Sequence, residues 1–277
     1  MSNDTHKRPE PPLCEIPSFG DGVVLVDGIP MRSEDVVQKR SDDVRAHFNF
    51  DNGDFGDLNA RRLVGAHSAV VQREIVRIGH SAARFELRAG DYVSEGQRAE
   101  LRDWLNAPLE SETWYGLSTF LPNDFPVHEG VGCVLAQWHD QAKLGDPSGK
   151  PPIAIRFKDG RLYVTGAQSR VASHAPDQRF EFFSLENYPL GTWSDFVFRV
   201  FWSRYGESQI DAWMNGKQII RYRGKLGYEN ETVGPYFKFG MYCHGMLSSP
   251  HIVYHDNYSR GHNFADVDPS VLHKDRP

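Results

Sequence analysis

Tyr236, Lys238, Tyr242 and His244 stand two or four residues apart in the stretch Tyr236-Phe237-Lys238-Phe239-Gly240-Met241-Tyr242-Cys243-His244. Successive side chains of an extended strand point to opposite faces, so this spacing collects two phenols, an ammonium and an imidazole around Gly240 on one side. Phe237, Phe239, Met241 and Cys243 fall on the other, which reads as a core face. The polar side offers proton donors, a proton acceptor and a fixed positive charge, and reads as one wall of a groove for a polar ligand. Two further stretches are built alike. In Gln97-Arg98-Ala99-Glu100-Leu101-Arg102 the alternation puts Arg98, Glu100 and Arg102 on one face, with Ala99 and Leu101 opposite. In Val131-Gly132-Cys133-Val134-Leu135-Ala136-Gln137-Trp138-His139 it puts Gln137 and His139 together, about 6.6 Å apart along the strand. Taken singly, these are a solvated face with paired charges, a packing tyrosine and a surface histidine. Three strands presenting their polar members by one periodicity carry more weight.

The elements that must position these residues are strands. Residues 83–88, 114–122, 153–157, 162–165, 193–202, 210–214, 217–222 and 252–258 alternate or run apolar over strand lengths. Asn215-Gly216 and Asp159-Gly160 each separate two such runs, as tight primed hairpin turns require. Residues 76–78 read as a further strand before the turn Gly79-His80-Ser81, residues 23–26 as an edge strand, and 167–190 as a long irregular connection. About a dozen short strands, with turn signals roughly every 8–12 residues and no amphipathic helix, predict an all-β sandwich. No internal repeat points to a propeller or a solenoid.

The 277 residues, 39% of them hydrophobic and 12% aromatic, suffice for one large β domain. It is expected over residues 21–265, between a polar, Pro-rich arm at 1–20 and a polar tail at 266–277. Net charge is −6, from 31 basic against 37 acidic residues, which excludes a globally basic nucleic-acid or anionic-membrane binder. Any anionic ligand must be held by local cations. The N-terminal residues lack the apolar core of a leader, and no run is long enough to span a bilayer, which predicts a cytosolic, soluble protein, or a secreted or periplasmic one if a leader was trimmed. Cys14, Cys133 and Cys243 are too few and too scattered for a disulfide framework and are expected as reduced thiols. The run Asp51-Asn52-Gly53-Asp54-Phe55-Gly56-Asp57 reads first as a turn. No cofactor is required and no metal ligands are assigned, though residues 51–57 or Asp256 leave room for a structural calcium ion.

The three motifs, in this order, resemble those of the alginate lyases of the seventh polysaccharide lyase family. These carry Arg-x-Glu-Leu-Arg, Gln-x-His and Tyr-x-Lys-x-Gly-x-Tyr, here Arg98-Ala99-Glu100-Leu101-Arg102, Gln137-Trp138-His139 and Tyr236-Phe237-Lys238-Phe239-Gly240-Met241-Tyr242. The wider run from Ala83 to Gly261 is similar to the heparin lyase I and glucuronan lyase group. Cys243-His244 follows the last tyrosine where the alginate lyases often have Asn-Gln, and Trp138 stands where a small aliphatic is usual, departures that bear on the polymer more than on the reaction. The resemblance implies a single-domain β-jelly roll with a concave substrate groove, an acidic polysaccharide as partner (glucuronan-, alginate- or heparin-like), and cleavage by elimination.

Elimination across a 4-O-linked uronate removes the C5 proton, which is weakly acidic beside a charged carboxylate. A group must neutralise that carboxylate, a base must take the proton, and an acid must protonate the departing O4. By resemblance, Gln137 and Arg98 hold the carboxylate, Tyr242 protonates O4 and His139 takes the C5 proton. Where H5 and O4 lie on the same side of the sugar, Tyr242 can serve as base and acid, with His139 as neutraliser. Lys238, about 13 Å from Tyr242 along the strand, joins Arg102, Tyr236, Trp138 and His80 as a candidate for binding neighbouring sugars. For Arg102 the plainer reading is a structural pair with Glu100, and for His80 a surface turn.

A retaining glycosidase would need two carboxylates about 5 Å apart. Glu110-Ser111-Glu112 and the acidic residues of 181–186 lack the required alternation. The stronger alternative is a non-catalytic carbohydrate-binding sandwich with Trp138, Tyr236 and Tyr242 as its platform.

Overall fold

The computed structural model describes residues 44–272 except 94–95, 128–129, 142–149, 170–177 and 229–232, together with the backbone of two N-terminal strands. The expected arm at 1–20, Cys14 and the last residues of the tail lie outside the described residues.

Two sheets share one core. The first runs β13 (Gln178–Leu185), β12 (Arg161–Ser169), β11 (Ile153–Lys158), β10 (Gly132–His139), β18 (Tyr236–His244), β8 (Gly96–Asn106) and β4 (Asn59–Arg62). β17 (Gly227–Tyr228) joins it on β12 and β7 (Tyr92–Val93) on β8. The second runs β16 (Lys217–Gly224), β15 (Ser208–Met214), β14 (Trp193–Trp202), β9 (Ser111–Phe120), β19 (His251–Gly261), β6 (Ala82–Leu87) and β5 (Ala69–Gln72), with β3 (Ala46–Phe48) on β19. β1 (Val23–Val26) and β2 (Ile29–Arg32) pair with each other. Apart from the short parallel pairing of β17 with β12, neighbouring strands are antiparallel. This is the expected all-β jelly-roll sandwich.

Alternation builds the core. Phe237, Phe239 and Met241 of β18, Ala99 and Leu101 of β8 and Trp138 of β10 point inward and meet Phe85, Phe198, Val253 and Tyr258 of the second sheet. Burying each such side chain contributes about 1.5–3 kcal/mol, which is why the opposite, polar faces of the same strands are held in place.

Several expectations are corrected. Residues 76–78 are not a strand: the Asp256 carboxylate accepts the N–H groups of Arg77 and Ile78, at 3.0 and 3.1 Å, and ties them into a loop. The strand before β6 is β5 instead. Residues 167–190 contain the end of β12 and all of β13. Cys133 and Cys243 are not reduced thiols. They face each other in the register of β10 and β18, with Cα atoms 4.1 Å apart, and form a disulfide that closes a separation of 110 residues. A 3-10 turn (Phe264–Asp266) and a short helix (Pro269–Leu272) lie where the domain passes into the expected tail at 266–277, with Val267 between them fully buried. Asp51 is a structural pin, accepting the N–H groups of His80 and Ser81 at 2.6 and 3.1 Å. Among the described residues, no three His, Cys, Asp or Glu side chains converge on a metal-sized space, and no helix is long and apolar enough to cross a membrane.

Candidate active site

β10, β18 and β8 lie side by side in the middle of the first sheet. Their register aligns Gln137 with Lys238 and Arg102, and Val134 with Tyr242 and Arg98. Residues directly opposite on neighbouring strands share a face, so the polar sides of the three motifs merge into one surface. That surface forms a cavity of about 370 Å³ bordered by Arg98, Gln137, His139, Tyr236, Lys238 and Tyr242. Its wall is completed by Arg62, Lys150, Arg156, Arg179 and His244, with Val134 and Pro151, and among the described residues it contains no carboxylate.

Tyr242 lies beneath the Arg98 guanidinium, whose carbon is 4.1 Å from the ring centroid, and beside the His244 ring at 4.4 Å. Two glycines make room for this. A Cβ at Gly96 would come within 2.5 Å of the Tyr242 ring and 2.8 Å of the Arg98 guanidinium. Gly240 has φ +128°, and a Cβ there would meet the Ala99 carbonyl oxygen at 2.2 Å. β18 carries an extra residue against β10 at this point, between the partners of Val134 and Ala136. From the second sheet, buried His255 donates Nε2–H to the Gly240 carbonyl at 3.0 Å and accepts the Thr119 hydroxyl at Nδ1, 3.1 Å away. Burial pushes this imidazole down to about 4, so it bridges the sheets in its neutral form.

Glu100 lies under the groove, 2% exposed. Its carboxylate accepts the Gln137 amide N–H, pairs with Lys238 at 3.3 Å and lies 3.7 Å from Arg98. Burial works to raise the Glu100 carboxyl, but Lys238, Arg98, Arg62 and the Gln137 amide outweigh it and hold the group below the usual carboxylate range. Burial pushes the Lys238 ammonium down to about 8 against the pull of Glu100. The network fixes the Gln137 amide with its nitrogen toward Glu100. The same residue borders the cavity.

His139 borders the cavity with its ring stacked on Tyr236 at 5.6 Å. Its Nδ1 is 2.8 Å from the fully buried Asp140 carboxylate and 3.1 Å from the Asp140 carbonyl. Nδ1 therefore carries a proton, which leaves Nε2 as the ring nitrogen for proton exchange. An acid-oriented imidazole of this kind is suited to accept a proton.

Arg98, Gln137, His139, Tyr236, Lys238 and Tyr242 are thus brought together, with Lys238 on the floor rather than the wall. The other three candidates are not. Trp138 is 1% exposed and packs in the core against Tyr115, Phe198 and Phe237, because its neighbours Gln137 and His139 take the groove face. Arg102 is buried behind Tyr236, its guanidinium carbon 3.7 Å from that ring and its Nη2 bonded to Gln141 at 3.2 Å, so it supports the wall from behind. Nor does it pair with Glu100, whose partners are Lys238 and Arg98. His80 sits on the Asp51-pinned loop, outside the cavity wall. Sequence reasoning missed Asp140, Arg62, Arg156, Arg179 and Lys150. Only Arg156 left a signal, as the polar member of the alternating run Ile153-Ala154-Ile155-Arg156-Phe157.

The profile of the polysaccharide lyase family matches residues 50–259, a span that includes every strand of the cavity. The chain belongs to the polysaccharide lyase family. Among solved structures, this lyase is similar to an endo-β-1,4-glucuronan lyase from the fungus Trichoderma reesei, with 16% identity, a TM-score of 0.67 and coverage of 81% of this chain and 98% of the other. It is similar to the family 7 alginate lyase A1-II′, with 18% identity, a TM-score of 0.52 and coverage of 72% and 85%. A GH131 β-glucanase catalytic domain from Podospora anserina also matches, with 11% identity, a TM-score of 0.53 and coverage of 76% and 86%. At these identities the likeness is one of fold, and the lyase shares that fold with a glucanase. No curated protein matches the lyase.

Proposed function

We propose that the lyase cleaves a uronic-acid-containing polysaccharide by β-elimination at the 4-O-linkage, leaving a 4,5-unsaturated uronate at the new end. The observation that carries this reading is the charge of the groove. Arg62, Arg98, Lys150, Arg156, Arg179 and Lys238 border it without a carboxylate among the described residues, in a chain whose net charge is −6. Such a wall attracts a polyanion. It also argues against hydrolysis, which needs two carboxylates flanking the bond. The acid beneath the groove, Glu100, is buried, ionised and engaged by Lys238, Arg98 and Gln137.

In this mechanism the uronate carboxylate accepts the second N–H of Gln137 and faces the Arg98 guanidinium. Negative charge that moves from C5 onto the carboxylate, as the enolate forms, develops beside those donors, where stabilisation counts most. In glucuronate and mannuronate H5 and O4 lie on the same side of the ring, so Tyr242, acting as the phenolate, removes the C5 proton and returns it to O4, while His139 in its protonated form donates Nε2–H to the carboxylate. In guluronate H5 is on the opposite side. His139 then becomes the base and Tyr242 remains the acid. Positioned proton transfer of this kind contributes about 10²–10⁴-fold.

The test is ultraviolet absorbance against time on glucuronan first, then alginate, then a heparin-like chain. The expected result is a rise on a uronate polymer, reduced at least about a hundredfold by Tyr242→Phe while binding persists. Binding with no rise on any of them would favour a non-catalytic module, although that reading has lost part of its platform, since Trp138 is in the core. The Cys133–Cys243 disulfide supports work in an oxidising compartment, against the cytosolic expectation.

A further inference from the structure

The carboxylate of the reacting sugar accounts for Arg98 and Gln137, but not for the cations on the other side of Tyr242. Register places Arg98, Tyr242, Val134 and Arg156 in one row across β8, β18, β10 and β11. Strands are spaced about 4.8 Å apart, so Arg98 and Arg156 flank Tyr242 at one and two strand spacings. One strand spacing is close to the length of one sugar in a 1,4-linked chain. A polysaccharide laid across the strands with its scissile linkage at Tyr242 therefore carries the second sugar from that linkage over Arg156.

Arg156 is built to hold something there. Its Nε donates to the Thr165 hydroxyl at 2.9 Å, which fixes the guanidinium. Arg179 and Lys150 border the same part of the cavity. No carboxylate among the described residues is hydrogen-bonded to or ion-paired with Arg156 or Arg179. Burial and then Arg179 hold the Arg156 guanidinium below its ordinary range, against the opposing pull of Tyr163 and Tyr242. Burial, then Arg156, Lys150, Arg98 and Arg179, push the nearby His244 imidazole down as well. Like charges gathered at a half-buried site cost stability unless an anion occupies it.

We propose that Arg156, held by Thr165 and flanked by Arg179 and Lys150, is a second anion subsite that binds the carboxylate of a sugar beyond the scissile linkage. The enzyme then distinguishes an unbroken run of uronates from a chain in which uncharged sugars separate them. The kinetic consequence rests on the elimination reading, whereas the binding consequence does not.

The experiment uses the full chain and its Arg156→Gln, Arg156→Lys and Arg179→Gln variants. Two probes are needed: the uronate polymer that is turned over, and the same polymer with about half of its carboxyl groups reduced to alcohols. Calorimetry with a uronate tetrasaccharide is run alongside. For Arg156→Gln the expected result is a rise of about tenfold in KM on the intact polymer, with kcat within about twofold, little change on the reduced polymer, and a Kd for the tetrasaccharide weaker by about tenfold. Arg156→Lys should recover part of the loss, and exposed Arg179→Gln should show a smaller shift in the same direction. Unchanged KM and Kd in both Gln variants would overturn the proposal. So would an equal loss on both polymers. If Arg156→Gln does not fold, Arg179→Gln decides between these outcomes. If the wild-type protein makes no unsaturated product from any uronate polymer, elimination fails, and the tetrasaccharide Kd alone retains or rejects the subsite.

Discussion

Glu100 is the residue on which most of the site's geometry converges. It orients the Gln137 amide, neutralises Lys238 beneath the groove and draws Arg98 toward Tyr242. Glu100→Gln keeps the shape and removes the charge, leaving Lys238 buried without its anion. Breaking such a pair costs about 3–5 kcal/mol, so thermal denaturation should show a lower Tm and the surviving folded fraction a lower kcat. An unchanged melting curve would mean that the pair contributes nothing. Gly96 offers a milder test, because the nearest atoms that a methyl group there would meet belong to the Tyr242 ring and the Arg98 guanidinium. Gly96→Ala is expected to lower kcat by about tenfold or more through misplacement of Tyr242, with Tm nearly unchanged. Full activity in that variant would show that the ring has room to spare. Most of these residues were legible in the sequence, since period-two alternation puts Arg98, Gln137, His139 and Tyr242 on groove faces. The same rule places Trp138 in the core. Treating it as a sugar platform set residue type above parity, and choosing His80 rested on residue type alone.

At the scale of elements, β18 is held from two sides. Its edges pair with β10 and β8, and His255 of β19 reaches through the core to the carbonyl of Gly240, where β18 bulges. That contact requires a neutral imidazole. The folded chain keeps His255 unprotonated down to about pH 4, whereas the unfolded chain takes up the proton near pH 6.5. The sign follows from proton uptake: below pH 6.5 the unfolded state binds the extra proton, so stability is lost as pH falls from 6.5 toward 4, by about 3 kcal/mol in full. Denaturation midpoints across that interval should fall more steeply in the wild type than in His255→Gln, which has nothing to protonate. Parallel slopes would remove His255 from the account. None of this was readable from β18 alone, because the partner lies on the other sheet and only the folded register brings it near. Arg179 and Lys150 escaped notice for the same reason. The loop at 76–78 was mistaken for a strand because its apolar alternation is real, while the Asp256 carboxylate that captures its amides comes from far along the chain.

Across the whole molecule, strand count, alternation and turn dipeptides were enough to predict the two-sheet sandwich, because each is a local property of the chain. The disulfide is not local. Cys133 and Cys243 are scattered in sequence and become partners only through the pairing of β10 with β18. A cross-link over 110 residues is worth about 5 kcal/mol in the chain-entropy account. Replacing both cysteines by serine is expected to lower Tm by about 10 °C and leave KM largely intact, because the disulfide lies at the end of the groove strands and outside the cavity wall. Equal melting of the variant and the oxidised wild type would contradict this. The molecule as a whole is an acidic sandwich with a cationic groove. That contrast favours a polyanionic substrate and leaves the groove without a carboxylate, among the described residues, with which to hydrolyse it.

The most direct test of the elimination mechanism is to digest the uronate polymer in water enriched in oxygen-18 and weigh the products. Elimination predicts new non-reducing ends that are lighter by one water than hydrolysis would make them, with no label at any new end when the products are weighed before the reducing ends exchange oxygen with the solvent, and no such products from Tyr242→Phe. Saturated ends, with label incorporated at the cleaved bond, would mean that water attacks the linkage, and the roles assigned to Tyr242, His139, Gln137 and Arg98 would have to be abandoned.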